Sequence, residues 1–223
     1  MKEQNTKRVS GFTLLEMAIV LAIIAILSGV MVPALLGYST RSKLNAQNSN
    51  AKVLFNSIQT IMQEYEFLER NEHATSALYG DEAQKRGIVF IRVYNDGSSP
   101  RVETFQSARK DGAAAPAIDP AFYGATLDTA TSTSFLSRLS RMFSDLHEVS
   151  FSAFVRDYSV LGVVCAETKT ANCLGAYPLK TNERGTVSSS CSIGNITQAT
   201  RDQLIFYCKE AWNDTTLLDG YSY

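Results

Sequence analysis

The longest pattern in the chain is an absence: from residue 17 to residue 40 there is no Asp, Glu, Lys, Arg or His. These 24 residues exceed the ~20 apolar positions needed to cross a bilayer core. They also exceed the ~7–15-residue apolar core of an ordinary cleaved secretory signal. Leu14, Leu15, Met17, Ala18, Leu21, Ala22, Ala25 and Leu27 are good helix formers. A single span in lipid must satisfy its own backbone, which a helix does and a lone strand cannot. Gly29, Pro33 and Gly37 interrupt the run; Pro33 lacks an amide proton and is expected to distort the helix.

After Arg41 the pattern becomes amphipathic. Leu44, Ala51, Leu54, Phe55, Ile58, Ile61, Met62, Tyr65 and Leu68 recur at helical spacing. Neither Pro nor Gly occurs between Tyr38 and Tyr79, so apolar run and stripe predict one helix from residue 12 to about residue 71, ~90 Å at 1.5 Å per residue. The stripe is wider than a coiled-coil seam, which points to packing on the protein's own sheet.

Period-two and β-branched signals begin at Gly87. Residues 87–94 read as a strand, 95–100 as a turn and 101–105 as its return. Residues 111–133 read as loop, and Ser134 as the cap of a short helix through Leu146. Residues 149–166 read as two antiparallel strands, and 197–212 as a final helix. The fold class expected is α+β: a long N-terminal α-helix, membrane-spanning then amphipathic, packed on a C-terminal antiparallel β-sheet domain.

Charge excludes one function class. The 21 Lys+Arg balance 22 Asp+Glu for a net −1, without the basic excess of a nucleic-acid binder, so no nucleic-acid partner is expected. Two histidines, His73 and His147, and four cysteines with no C-x-x-C leave little material for zinc. No Walker A, G-x-S-x-G, dinucleotide-binding, H-E-x-x-H or EF-hand spacing occurs. Asp214 and Asp219 near the C-terminus are weak calcium candidates beside an ordinary solvated loop. No catalytic residue, cofactor or metal site is assigned.

Glu16 is the anomaly. A carboxylate in a span costs roughly 2.5–3.5 kcal/mol at helix centre and less near an end. No cation lies between it and Arg41. Either it sits at the interface, or its partner comes from another subunit or from an amine made by cutting the chain nearby.

Gly11-Phe12-Thr13-Leu14-Leu15-Glu16, after a leader with Lys2, Lys7 and Arg8 and before an uncharged helix, resembles the class III signal of type IV pilins and pseudopilins. The likeness runs from about Lys7 to Gly37. It implies a leader of residues 1–11, removed by a prepilin peptidase between Gly11 and Phe12, and N-methylation of Phe12. It further implies a transmembrane and polymerising half-helix at 12–38, an amphipathic half at 39–72 and an extracytoplasmic globular domain at 73–223. Glu16 is then expected to pair with the Phe12 amine of a neighbouring subunit, Pro33 to distort the helix, and Gly29 and Gly37 to ease unwinding.

The function implied is that of a structural, non-enzymatic subunit of a type IV pilus-like filament. Implied partners are further copies, other pilins, the peptidase, an inner-membrane assembly platform and, before assembly, lipid. Its location is the bacterial cytoplasmic membrane as a single-pass precursor, then an extracellular pilus or periplasmic pseudopilus. Alternatives are a pseudopilin of a type II secretion or DNA-uptake system, a minor adhesin-like pilin, and an uncleaved membrane-anchored enzyme or binding protein. Charge does not orient the span, since Arg41, Lys43 and Lys52 after it match the three basic residues before it. Cys165, Cys173, Cys191 and Cys208 suggest two disulfides in such a domain. Three pairings are open, with Cys165–Cys173 and Cys191–Cys208 closing the shortest loops.

Overall fold

A computed structural model describes residues 12–72, 88–95, 99–108, 118–180, 194–217 and 219, without the side chains of 69–72 and 107–108. The expected leader, Gly11 included, lies outside these residues, as do His73 and Cys191. The chain divides into two compact units, Met1–Ser42 and Lys43–Tyr223. A 59-residue helix, α1 (Leu14–Glu72), contributes to both.

In the first unit α1 is apolar around its whole circumference and exposed throughout residues 12–38. Pro33 lies inside it. A Cβ placed on Gly29 or Gly37 meets nothing within 4 Å, so packing among the described residues does not require glycine at either position.

The second unit has three layers. Five antiparallel strands form one sheet: β1 (Ile88–Tyr94), β2 (Arg101–Ala108), β3 (Ser150–Arg156), β4 (Ser159–Ala166) and β5 (Gly175–Tyr177), in the order β2-β1-β3-β4-β5. The expected amphipathic stripe covers one face. Ala51, Leu54, Ile58, Ile61, Met62 and Tyr65 are buried against Val89, Ile91, Val93, Phe151, Ala153, Val155 and Val163. A fully buried side chain of this kind contributes about 1.5–3 kcal/mol. Two short helices, α2 (Pro120–Tyr123) and α3 (Phe135–Met142), close the same core through Phe122, Phe135, Leu136 and Leu139. The last helix, α4 (Arg201–Ala211), covers the opposite face. There Leu204, Ile205, Tyr207 and Cys208 meet Phe90, Phe154, Leu161 and Val164. Both sheet faces are therefore dry; β1 and β4 read apolar at most positions, while the central β3 also buries Ser150 and Ser152.

Two expectations need correction. The loop at 111–133 contains α2 and a 3-10 turn, Leu127–Thr129. The helix after Ser134 stops at Met142 and resumes as a 3-10 segment, Ser144–Glu148. Ser134 occupies the N-cap, but its hydroxyl donates to the Thr131 carbonyl (2.9 Å) instead of accepting from the helix.

Tyr65 gives this core a pH dependence. Its hydroxyl donates to the Thr133 carbonyl (3.4 Å) and the Arg138 guanidinium lies 5.3 Å from its ring centroid. Burial pushes the phenol up to about 12, outweighing the opposing Arg138 charge. An unfolded tyrosine ionises near 10. The stabilisation is therefore complete below pH ~10 and is lost between about 10 and 12, on the order of 2 kcal/mol. Urea unfolding across that window should show the loss in the unaltered protein and less of it in Tyr65→Phe; equal slopes would assign the effect to other groups.

Candidate functional site

Elementary chemistry directs attention to the start of α1, where an acid stands in an apolar segment. Phe12 lies outside the helix with 80% of its surface exposed. Thr13 follows, and α1 begins at Leu14. The first N–H groups of a helix have no partner within it. Here Thr13 and Glu16 supply partners reciprocally. The Glu16 N–H donates to Thr13 Oγ1 (3.2 Å), and the Thr13 N–H donates to Glu16 Oε2 (2.8 Å). The Thr13 hydroxyl also donates to that same oxygen (2.8 Å). This is a capping box of Thr-x-x-Glu form.

The box changes the account of Glu16. Its carboxylate has no cation within the described chain, yet it is not bare: Oε2 accepts two hydrogen bonds from Thr13. Sequence reasoning passed over this, although Thr13-Leu14-Leu15-Glu16 carries the signature before an apolar run. The arrangement is also compatible with a cut between Gly11 and Phe12. Every atom of the box belongs to Thr13 or Glu16, so removing residues 1–11 leaves it whole and places the new amine one residue before the cap.

Along residues 14–38 the apolar side chains have no cover: Leu14 is 88% exposed and Val30 73%. A helix that is apolar all round requires lipid or other protein around it. This is one helix long and apolar enough to cross a membrane. Pro33 removes one backbone donor within that stretch, and further on Thr40 Oγ1 donates to the Leu36 carbonyl (3.1 Å).

Three of the four cysteines lie among the described residues. Cys165, Cys173 and Cys208 are all thiols in this structure, so the expected Cys165–Cys173 link is not made. Cys165 sits in the core beneath α1 and donates to the Gln47 carbonyl (3.1 Å). Cys208 lies in the core under α4, on the other side of the sheet, where burial pushes its thiol well above the usual range. Cys173 is half-buried, its thiol raised by desolvation against the influence of Lys43. The expected Cys191–Cys208 bridge lies outside the described residues, since Cys191 does.

The weak calcium candidates have protein partners. Asp214 Oδ1 accepts from the Thr216 N–H (2.9 Å) and hydroxyl (2.8 Å), and Asp219 Oδ1 from Lys209 (2.9 Å). Among the described residues no three His, Cys, Asp or Glu side chains gather as metal ligands. One open cleft of about 430 Å³ is lined by Glu64, Ser132, Thr133, Arg138, Arg141 and Met142. Its Arg138 is paired with Glu64, and its Arg141 donates to the Ser132 and Ser137 carbonyls.

Residues 6–32 match the prokaryotic N-terminal methylation motif. This is the class III signal of type IV pilins and pseudopilins, and the matched segment contains Gly11, Phe12, Thr13 and Glu16. No curated protein and no solved structure matches the chain. The motif supports a pilin-like or pseudopilin subunit and, with the apolar helix, fits a membrane-anchored precursor. In general it implies a prepilin peptidase and assembly with other pilin subunits.

Proposed function

We propose that this protein is a structural subunit of a type IV pilus-like filament. A prepilin peptidase removes residues 1–11, Phe12 becomes the N-methylated terminus, and subunits assemble through residues 12–38. Before assembly the apolar helix is covered by lipid; in the filament it is covered by the same helix of other subunits. The methylation motif at residues 6–32, on a helix whose apolar surface is exposed all round, carries this reading.

The chemistry of the step is an exchange of partners. Cutting between Gly11 and Phe12 creates a cation in a segment that otherwise has none before Arg41. It also removes Lys2, Glu3, Lys7 and Arg8, a net +2, which the precursor would have to carry out of the membrane interface. The ammonium of one subunit and Glu16 of another then attract strongly in a low-dielectric setting. The globular unit, with its two dry cores, is the part presented outside.

Mass spectrometry of membrane and filament fractions tests the reading. Filament material should begin at Phe12 with one methyl group on its amine, and the membrane pool should contain the precursor as well. Assembled subunits that retain Met1 would overturn it.

A further inference from the structure

The cleft beside α3 holds a charge that the fold does not neutralise. Two guanidinium groups, Arg138 and Arg141, line it with one carboxylate, Glu64, which leaves one positive charge in excess. Three residues apart on α3, the two arginines share a face of the helix. Arg138 is fully engaged by the fold. Its Nε donates to the Thr133 carbonyl (2.9 Å), its Nη1 pairs with Glu64, and its guanidinium lies over the Tyr65 ring. Arg141 differs. Its Nε donates to the Ser137 carbonyl (3.3 Å) and its Nη2 to the Ser132 carbonyl, and no carboxylate pairs with it among the described residues. These two neutral acceptors hold the group in place without cancelling its charge. A guanidinium carries five N–H donors in a planar fork, so Nη1 and the second Nη2 hydrogen remain for a ligand. Glu64 uses Oε1 for Arg138, and no described donor is recorded on its Oε2. Met142, 44% exposed, adds an apolar wall. The volume of about 430 Å³ is in the range of small-molecule sites.

We propose that this cleft binds a hydroxylated monocarboxylate, the chemistry of a sugar acid, and that Arg141 is the residue that takes the carboxylate. One excess positive charge matches a monoanion, whereas a phosphate dianion would bring surplus negative charge beside Glu64. The planar fork suits a carboxylate, which accepts two parallel N–H bonds from it. Glu64 sets the rest of the ligand. An ionised carboxylate only accepts hydrogen bonds, so Oε2 calls for a hydroxyl donor, which an acetate-like acid does not have. Because two carbonyls already hold Arg141, little side-chain freedom is lost on binding. All six lining residues belong to the globular unit, so the site exists whether or not the chain enters filaments.

Ligand-observed NMR titrations of the full chain in an uncharged, sugar-free detergent test the site. Sodium glucuronate is the probe; glucose, acetate, inorganic phosphate and a short capped peptide with one glutamate are the comparisons. Glucuronate should bind at least tenfold more tightly than any of them. Arg141→Gln should weaken it about tenfold or more, the weight of a lost charge-assisted hydrogen bond. Arg141→Lys keeps the charge without the fork and should fall between the two. Glu64→Gln raises the excess charge to two and should narrow the gap between phosphate and glucuronate. Arg141 and Glu64 are exposed, so near-ultraviolet circular dichroism of each variant should match the unaltered chain. The titrations of the unaltered chain decide the ligand class even where a variant fails to fold. No binding of glucuronate, or equal binding by a folded Arg141→Gln chain, overturns the site. Acetate or phosphate bound as tightly as glucuronate overturns the ligand class. Tighter binding of the peptide also overturns it and gives the cleft to a protein partner.

Discussion

A chain carrying Glu16→Gln will be inserted and trimmed like the unaltered protein and will be nearly absent from sheared filaments. Glutamine preserves the shape of the side chain and its ability to close the box with Thr13, as Gln203 does with Thr200. What it removes is the anion. An ammonium left in a low-dielectric contact without its counter-charge costs roughly 2–5 kcal/mol. That corresponds to a loss of incorporation of about thirtyfold or more. Glu16→Ala removes both box and charge, so it should be at least as severe. Comparing the two divides the effect, because any difference between them measures the cap alone. Immunoblots of sheared filaments and of membranes, with the N-terminus of each pool read by mass spectrometry, check the outcome. Glutamine subunits entering filaments at the normal rate would show that assembly does not use this charge.

The sequence made the architecture legible where burial repeats with a fixed period. Of the expected stripe from Ala51 to Tyr65, Ala51, Leu54, Ile58, Ile61, Met62 and Tyr65 are buried and Phe55 is partly buried, because a single helix face against a sheet leaves a period of 3.6. Strands β1 and β4 stood out by their runs of β-branched and apolar residues, and β3 by the alternation of Phe151, Ala153 and Val155 with Ser150 and Ser152. The features that escaped depend on short-range geometry or on distant partners. The hairpin from β3 to β4 turns on Asp157 and Tyr158, both at positive φ (47° and 63°), a conformation usually supplied by Asn or Gly. Here Gln59 of α1 secures it, donating to the Tyr158 carbonyl (3.1 Å) and accepting from the Val160 N–H (2.8 Å). No local pattern announces a turn held from a residue 99 positions away. Strand β5 has three residues, too few for any periodicity. The Cys165–Cys173 pairing was favoured by loop length, and loop length does not say that Cys165 is buried in the core beneath α1 while Cys173 is only half-buried. At the candidate site the acid was legible from charge, and the methylation motif matched at residues 6–32 was legible from the run Gly11 to Glu16. The capping box was equally legible, but a cation was sought for Glu16 while Thr13 stood three residues away.

Gly175→Ala is expected to unsettle the globular unit far more than its single added carbon suggests. Gly175 opens β5 directly beneath α1. A Cβ there would lie 2.1 Å from the Gln47 carbonyl carbon, 2.3 Å from its oxygen and 2.4 Å from the Asn48 nitrogen. These are backbone atoms of a helix, so no rotamer change relieves the clash. The surroundings resist a shift as well. Asn48 Oδ1 accepts from the Ala176 N–H (2.9 Å), and the Gln47 carbonyl accepts from Cys165 Sγ (3.1 Å). Separating helix from strand would strain both bonds and open the core beside Val163. Overpacking usually costs about 1–3 kcal/mol, and contact with two fixed backbones belongs at or above the top of that range. At ~2–4 °C per kcal/mol for a unit of this size, the melting temperature should fall by roughly 10 °C. Thermal unfolding of the full chain in detergent, followed by near-ultraviolet circular dichroism, measures it. Gly29→Ala and Gly37→Ala are the matched controls, because nothing lies within 4 Å of a Cβ at either. They should leave this transition unmoved, which separates what glycine does beneath α1 from what it does within the apolar segment. A Gly175→Ala protein melting with the controls would mean that α1 rides more loosely over β5 than a 2.1 Å approach allows.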